Sequence, residues 1–336
     1  MSKLPAAVAQ VQRAVRVCLT RLRAGTNVAH PAGHPLVLVA CSGGPDSLAL
    51  ADAVAAIAPS VGLSAGLVSV DHGLAAGSRQ RAQSVADWAL RRGLQPCEAV
   101  TVTVRGTGGP ESAARAARYA ALDVAAQRHG AVAVLLGHTQ DDQAETVLLG
   151  LARGSGARAL AGMASQRGRY HRPLLGLSRA CTRQAAAQRQ LPVWHDPHNT
   201  DVRFTRSRLR ALLPELEASI GPGVIAGLTR TAHLLRADAE YLDAAAAALL
   251  AETVGVDGSL DAVALAAQPL ALRGRVLRGW VLRTDVTAGA FTAAHVARLD
   301  ELLTHWHGQG PVYLPGAVRV GRRAGRLHAD PAAVSG

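Results

Sequence analysis

Between residues 36 and 152, short apolar runs alternate with longer helical patterns. Leu36–Ala40 is apolar and rich in β-branched residues, as expected of a strand buried on both faces. A helical pattern follows it to about Ile57. Leu67–Val70 leads in the same way into a helix from about Ser78 to Arg92. Ala99–Val104 leads into one from about Glu111 to Arg128, and Val132–Leu136 into one from about Asp141 to Ala152. Four βα units in series predict right-handed crossovers, a parallel sheet and helices on both of its faces. Ligands of such sheets bind at the carboxyl ends of the strands. Three polar features follow strand ends here: Ser42–Ser47, Asp71-His72-Gly73 and Gly137-His138.

Beyond Gly221-Pro222-Gly223 the pattern is helical, with a long segment through Leu250 and shorter ones near Leu270–Leu282 and Thr292–Thr304. Short β-like pieces lie near Val312–Tyr313 and Val318–Val320. The expected organisation is a domain over 1–218 and a smaller, mainly helical domain over 219–336. At the N-terminus, Val8, Val11, Val15, Leu19 and Leu22 recur at helical spacing, predicting a helix over about 5–24 packed on the first domain. A transit peptide would share the Arg-rich, acid-free character of this stretch, but not that spacing.

The 336 residues, 49% of them apolar, suffice for two cored domains, and no apolar run is long enough to span a membrane. Cys18, Cys41, Cys97 and Cys181 are far apart and form no C-x-x-C pair. That argues against a disulfide framework or a metal ribbon and suits a reducing cytoplasm. The net charge of +12 points to a polyanionic partner, and it is concentrated. Arg153–Arg210 holds twelve arginines against Asp196 and Asp201.

The loop Ser42-Gly43-Gly44-Pro45-Asp46-Ser47 joins a strand to a helix start, where backbone N–H groups gather around a phosphate. Gly43 and Gly44 permit positive φ, and Asp46 or Ser47 can cap the helix. No Walker A pattern occurs, and the chain's single lysine is Lys3. The loop resembles the SGGxDS loop of the N-type ATP pyrophosphatases, which split ATP into AMP and pyrophosphate.

In Gly137-His138-Thr139-Gln140-Asp141-Asp142-Gln143-Ala144-Glu145, Asp142 and Glu145 share a helix face, with Asp141 at the N-cap or in the first turn. Carboxylates facing a phosphate loop can hold magnesium or bind and deprotonate an amine, acidic capping being the lesser alternative for Asp141. Asp71-His72 reads either as an adenosine contact or as a turn. Arg115, Arg118 and Tyr119 can hold an anion or stack a base, or can belong to an ion-paired surface helix. Arg203, Arg206, Arg208 and Arg210, with Phe204, offer bidentate donors for phosphates, or form a solvated face. His195, Asp196 and His198 carry metal-ligand chemistry, but Pro197 confines them within one turn.

In order and spacing, SGGPDS, VDHGL, ESAARAARY, GHTQDDQAETVLLGLARGSGARALAGM, RPLL with Ser178-Arg179, and WHDPHNTDVRFTRSRLRALLP resemble the bacterial tRNA(Ile)-lysidine synthases over about residues 36–215. The resemblance implies an α/β fold: a parallel-sheet, Rossmann-like N-type ATP pyrophosphatase domain, then a smaller helical tRNA-binding domain of a short-form enzyme. It implies ligation of free L-lysine to the wobble cytidine of a minor isoleucine tRNA, which converts AUG to AUA decoding. The cytidine 2-oxo group attacks the ATP α-phosphate, and the lysine ε-amine then displaces AMP. By the same resemblance Ser42–Ser47, with Asp71, His72, Gly137 and His138, hold ATP, and Asp46 also takes magnesium. Asp46, Asp142, Glu145 and Arg115 are catalytic, while Arg118, Tyr119, Arg153, Arg203, Arg206, Arg208 and Arg210 contact tRNA. His198 and Ser207 depart from the family's D-P-S-N and T-R-N patterns, which weakens the carry-over in that loop. A tRNA 2-thiolation enzyme of the same superfamily and a non-catalytic RNA-binding module are the rival readings. The oligomeric state is open, a homodimer included.

Overall fold

The computed structural model describes residues 4–26, 33–71, 73, 77–103, 110–154, 156–194 and 205–331, without the side chains of 110 and 111. These form two compact units, Met1–Leu234 and Leu235–Gly336.

The first unit is built on a six-stranded sheet. Its strands are β1 (Leu36–Ala40), β2 (Ser64–Asp71), β3 (Cys97–Thr101), β4 (Ala133–Leu136), β5 (Gln166–Arg167) and β6 (Tyr170–His171), in the order β3-β2-β1-β4-β6-β5. Every pairing is parallel except the edge pair β5–β6. The β1 pattern needs two apolar covers, and it has them. Val37 and Val39 pack against α1 (Ala6–Ala24), α2 (Pro45–Ile57), α3 (Ser78–Arg91) and α7 (Arg179–Gln188). Leu36 and Leu38 pack with Val134 and Leu136 against Leu122, Ala125 and Ala126 of α4 (Pro110–Arg128). Each such burial contributes about 1.5–3 kcal/mol relative to exposure. β3 begins two residues before the sequence pattern, at Cys97 rather than Ala99, because its ladder with β2 starts at Leu67.

As its spacing predicts, α1 buries Val8, Val11, Val15 and Leu19 against α2 and α7. The other helices of this unit are α5 (Gln140–Ala152), α6 (Gly156–Leu160) and α8 (Thr205–Ile220), followed by α9 (Val224–Thr253), within which the unit boundary falls.

In the second unit, α10 (Ala262–Ala266), α11 (Leu270–Val281) and α12 (Ala293–Thr304) accompany an antiparallel sheet ordered β7-β10-β9-β8. Its strands are β7 (Leu260–Asp261), β8 (Val312–Leu314), β9 (Val318–Arg323) and β10 (Arg326–Pro331). Leu265, Leu277, Trp280, Leu299 and Leu302 meet Val312, Leu314, Val320 and Leu327 in its core. The bidentate pair of Arg273 with Asp300, at 2.7 and 2.9 Å, ties α11 to α12. The sheet is larger than its β-like pieces predicted, since β10 reads RLHADP, a sequence with little strand character.

Candidate active site

The loop after β1 folds around its own hydroxyls. Gly43 has φ +83°, which favours glycine, whereas Gly44 is extended and is itself the N-cap of α2. Neither Asp46 nor Ser47 caps the helix, contrary to the sequence expectation. Pro45 takes the first turn, where no N–H is missed, and the Ser47 hydroxyl donates to the Gly44 carbonyl at 3.0 Å. The Ser42 N–H donates back to Ser47 Oγ at 3.3 Å. At the end of β4, Gly137 lies so close that a Cβ there would sit 3.1 Å from Ser47 Cα and 3.2 Å from the Asp46 carbonyl. The β1 and β4 loops are thus in backbone contact.

Thr139 caps α5 and forms a capping box with Asp142, whose Oδ2 accepts from the Thr139 N–H at 2.7 Å. Asp141 lies in the first turn and accepts the Arg179 N–H at 2.7 Å. The Gln143 amide clamps Met163, accepting its N–H at 2.7 Å and donating to its carbonyl at 3.1 Å. That fixes the face of α5 which carries Asp142 and Glu145.

Both acids converge on Arg179, the first residue of α7. Its guanidinium donates to Asp142 Oδ1 at 2.7 Å and Glu145 Oε1 at 2.8 Å, and lies 4.0 Å from Asp46 Oδ2. Arg210 of α8 adds a fork on Glu145 at 3.0 and 3.2 Å. Glu145 is 1% exposed, so it is no solvated helix acid. Asp46, Asp141, Asp142 and Glu145 surround Arg179, and Arg210 adds a second guanidinium on Glu145. Burial raises the Asp46 carboxyl above its ordinary value, Asp142 adds to the shift, and the Thr182 hydroxyl donating to Asp46 opposes it. Burial also works against ionised Asp142, but Arg179 and the Thr139 N–H outweigh it and hold this carboxyl below the usual range.

The opposite wall is cationic and aromatic. Arg115 donates to the Tyr119 hydroxyl at 3.1 Å and lies 4.8 Å from that ring, Arg118 lies 5.7 Å from it, and Tyr170 packs edge-on at 4.8 Å. Arg118 Nε, Arg172 Nε and His138 Nδ1 are buried without hydrogen-bond partners among the described residues. Burial, reinforced by Arg118 and Arg172 and opposed by Asp142, pushes His138 down to about 3, so its imidazole is neutral at physiological pH.

The structure therefore brings together Ser42–Ser47, Gly137, His138, Asp142, Glu145, Arg115, Arg118, Tyr119 and Arg210. Asp71 is buried at the end of β2 and uses Oδ1 to close a turn with the Gly73 N–H at 2.8 Å. Arg153 is exposed at the end of α5, and Arg208 is exposed on α8 beside Thr205. Arg206 begins the same helix near Arg118. His72, Arg203 and the segment His195–Phe204, with the His195, Asp196 and His198 set, lie outside the described residues. Arg179 and Thr182 were assigned no role from sequence. Ser178-Arg179 entered only as a piece of the family resemblance, and the four carboxylates that follow two other strands could not be seen converging on Arg179.

Among the described residues no three His, Cys, Asp or Glu side chains are placed to hold a metal. Asp46 supplies one carboxylate, which fits a magnesium ion bound mainly through substrate phosphates. The four cysteines are free, with Cys41 buried beside Ser47.

A parallel sheet with a glycine phosphate loop after its first strand defines the PP-loop class, and residues 19–216 match the family model described as a PP-loop domain. Residues 260–328 match the TilS substrate binding domain. A tRNA(Ile)-lysidine synthase of Thermobifida fusca is 53% identical over 328 residues, 97% of this chain and 98% of that protein. Those of Streptomyces coelicolor (54%, covering 87% of this chain and 84% of that protein) and Mycobacterium tuberculosis (45%, covering 86% and 89%) are similar along most of their length. The chain belongs to the tRNA(Ile)-lysidine synthase family. The solved U34-tRNA thiolase NcsA from Methanococcus maripaludis, with its 4Fe-4S cluster, shares the fold at TM-score 0.54 and 20% identity, over 68% of this chain and 80% of that one.

Proposed function

We propose that this protein is an ATP-dependent carbon–nitrogen ligase that joins free L-lysine to the wobble cytidine of the minor isoleucine tRNA, forming lysidine in the cytoplasm. The observation that carries this reading is the buried convergence of Asp142 and Glu145 beside the phosphate loop, in a chain of this family. A thiolation site would require a sulfur relay or cluster ligands, and among the described residues the cysteines form no such group.

ATP lies with its phosphates on Ser42–Ser47 at the α2 N-terminus, over the strand ends that carry Asp71 and Gly137. Asp46 would hold magnesium, which neutralises polyphosphate charge when bound. The cytidine 2-oxo oxygen attacks the α-phosphorus, forming the C2–O–P link as the bond to pyrophosphate breaks. Arg115, with Tyr119 and Arg118, positions the base on the cationic wall. Neutral His138 lines that wall without adding charge. Asp142, kept ionised, and Glu145 hold the lysine ammonium. One proton of the ammonium passes to this carboxylate pair, the amine so freed attacks C2, and AMP leaves with the former 2-oxo oxygen as the new C–N bond sheds its second proton. Arg153, Arg206 and Arg208, with the domain of residues 219–336, track the tRNA backbone, and Arg210 orders Glu145.

The test is ATP-dependent incorporation of labelled lysine into an isoleucine tRNA transcript, with methionine tRNA as control. Incorporation confined to the isoleucine tRNA is expected. Pyrophosphate release without lysine transfer would overturn the assignment of the nucleophile.

A further inference from the structure

Every carboxylate oxygen of Asp142 and Glu145 is engaged. Asp142 Oδ1 accepts from Arg179 at 2.7 Å, and Oδ2 accepts from the Thr139 N–H and hydroxyl at 2.7 and 2.9 Å. Glu145 Oε1 accepts from Arg179 at 2.8 Å and from Arg210 at 3.0 Å, and Oε2 accepts from Arg210 at 3.2 Å. Glu145 is 1% exposed, so an ammonium reaches it only if one of these guanidiniums withdraws.

The two guanidiniums are held differently. The Arg179 side chain is 10% exposed and bonds both acids. It opens α7, which also buries Thr182, Ala185 and Ala186 and packs on α1 and α2. The Arg210 side chain is 29% exposed and hydrogen-bonds Glu145 alone among the described residues. It stands on α8, whose one buried side chain is Leu213. Withdrawing Arg179 would strip both acids, whereas withdrawing Arg210 leaves Arg179 on each. A buried charge that loses its partner is strongly destabilising, so Arg210 is the one that can yield. A guanidinium fork binds phosphate through the same parallel N–H bonds it gives a carboxylate. The first six residues of α8 include Arg206, Arg208 and Arg210, a charge density that draws a polyanion to this helix.

We propose that Arg210 is a latch on the lysine subsite: it covers Glu145 in the free protein, and a backbone phosphate of bound tRNA draws it away, so that lysine enters after the tRNA. This rests on the ligase reading above and adds to it an order of binding. The ammonium takes the place the guanidinium leaves, which keeps Glu145 paired throughout.

Binding of labelled lysine to the full-length protein is measured by equilibrium dialysis without ATP, in the presence and absence of an isoleucine tRNA transcript, for wild type, Arg210→Gln and Arg210→Lys. Wild type should bind lysine about tenfold more tightly with tRNA, and tRNA about tenfold more tightly with lysine, since the coupling is reciprocal. In Arg210→Gln the two lysine affinities should be equal and close to that of the tRNA-bound wild type. Arg210→Lys, which keeps the charge without the fork, should fall between. The wild-type coupling is read without any substitution, so a variant that fails to fold leaves the test standing. A lysine affinity that tRNA does not change in the wild type would overturn the latch. Weaker lysine binding by Arg210→Gln in the absence of tRNA would also overturn it, making Arg210 a fixed wall of the subsite. Full coupling in a wild type that transfers no lysine when ATP is added would support the latch and sink the ligase reaction alone.

Discussion

The sheet of the first unit is covered on both faces, and its polar groups are gathered at one end. In the second unit the sheet alternates: Val312, Leu314, Val318 and Val320 are buried, while Tyr313 and Arg319, paired across β8 and β9, face outward. A sheet sealed on two sides can present chemistry only at its strand ends, where loops hold buried, mutually paired charges such as Arg179 with Asp142 and Glu145. A sheet sealed on one side presents a face, on which an aromatic and an arginine stand in register. The first design concentrates field strength; the second spreads contact area.

Substitutions should therefore separate the units. The largest effect belongs to Asp142→Asn, which removes the charge on which Arg179 and an incoming ammonium both depend. Lysine incorporation should fall by about a hundredfold or more, while tRNA affinity measured by filter binding stays within about twofold. Loss of tRNA binding in that variant would erase the division between the units. Next, Arg319→Ala with Tyr313→Ala should weaken tRNA binding about tenfold and make its salt dependence shallower by about one phosphate contact. The melting temperature should hold, because both side chains are exposed. Smallest is the effect of His138→Gln on acid stability. The native state holds this imidazole down to about 3, so between pH 6.5 and 3 the unfolded chain takes up a proton that the native chain refuses. Stability then rises with pH through that window, and urea titrations of the Gln variant should show that dependence weakened.

Local signals explain how far the sequence could be read. Leu36–Ala40 matches β1 to the residue, because a five-residue apolar run between a proline and a glycine loop has few other solutions. The helix carrying Asp142 and Glu145 was equally plain from its spacing. Arg179, at the centre of the site, was not, since its importance comes from Asp46, Asp142 and Glu145 meeting it from other strand ends. Arg81 beside Trp194 is of the same kind, a contact between a helix start and a loop more than a hundred residues away. In the second unit β10 hid because its core contribution is Leu327, set among polar neighbours. What the chain writes locally is periodicity and turns; long-range charge pairing is written nowhere in one place.

The contact at Gly137 bears on how such a protein can change over generations. Charges around the pocket can drift one substitution at a time, with a partner adjusting afterwards. The spacing between the β4 end and the phosphate loop has no such neighbouring states, since any side chain at 137 would press on the backbone of Asp46 and Ser47. A lineage can retune those charges more easily than it can change that distance.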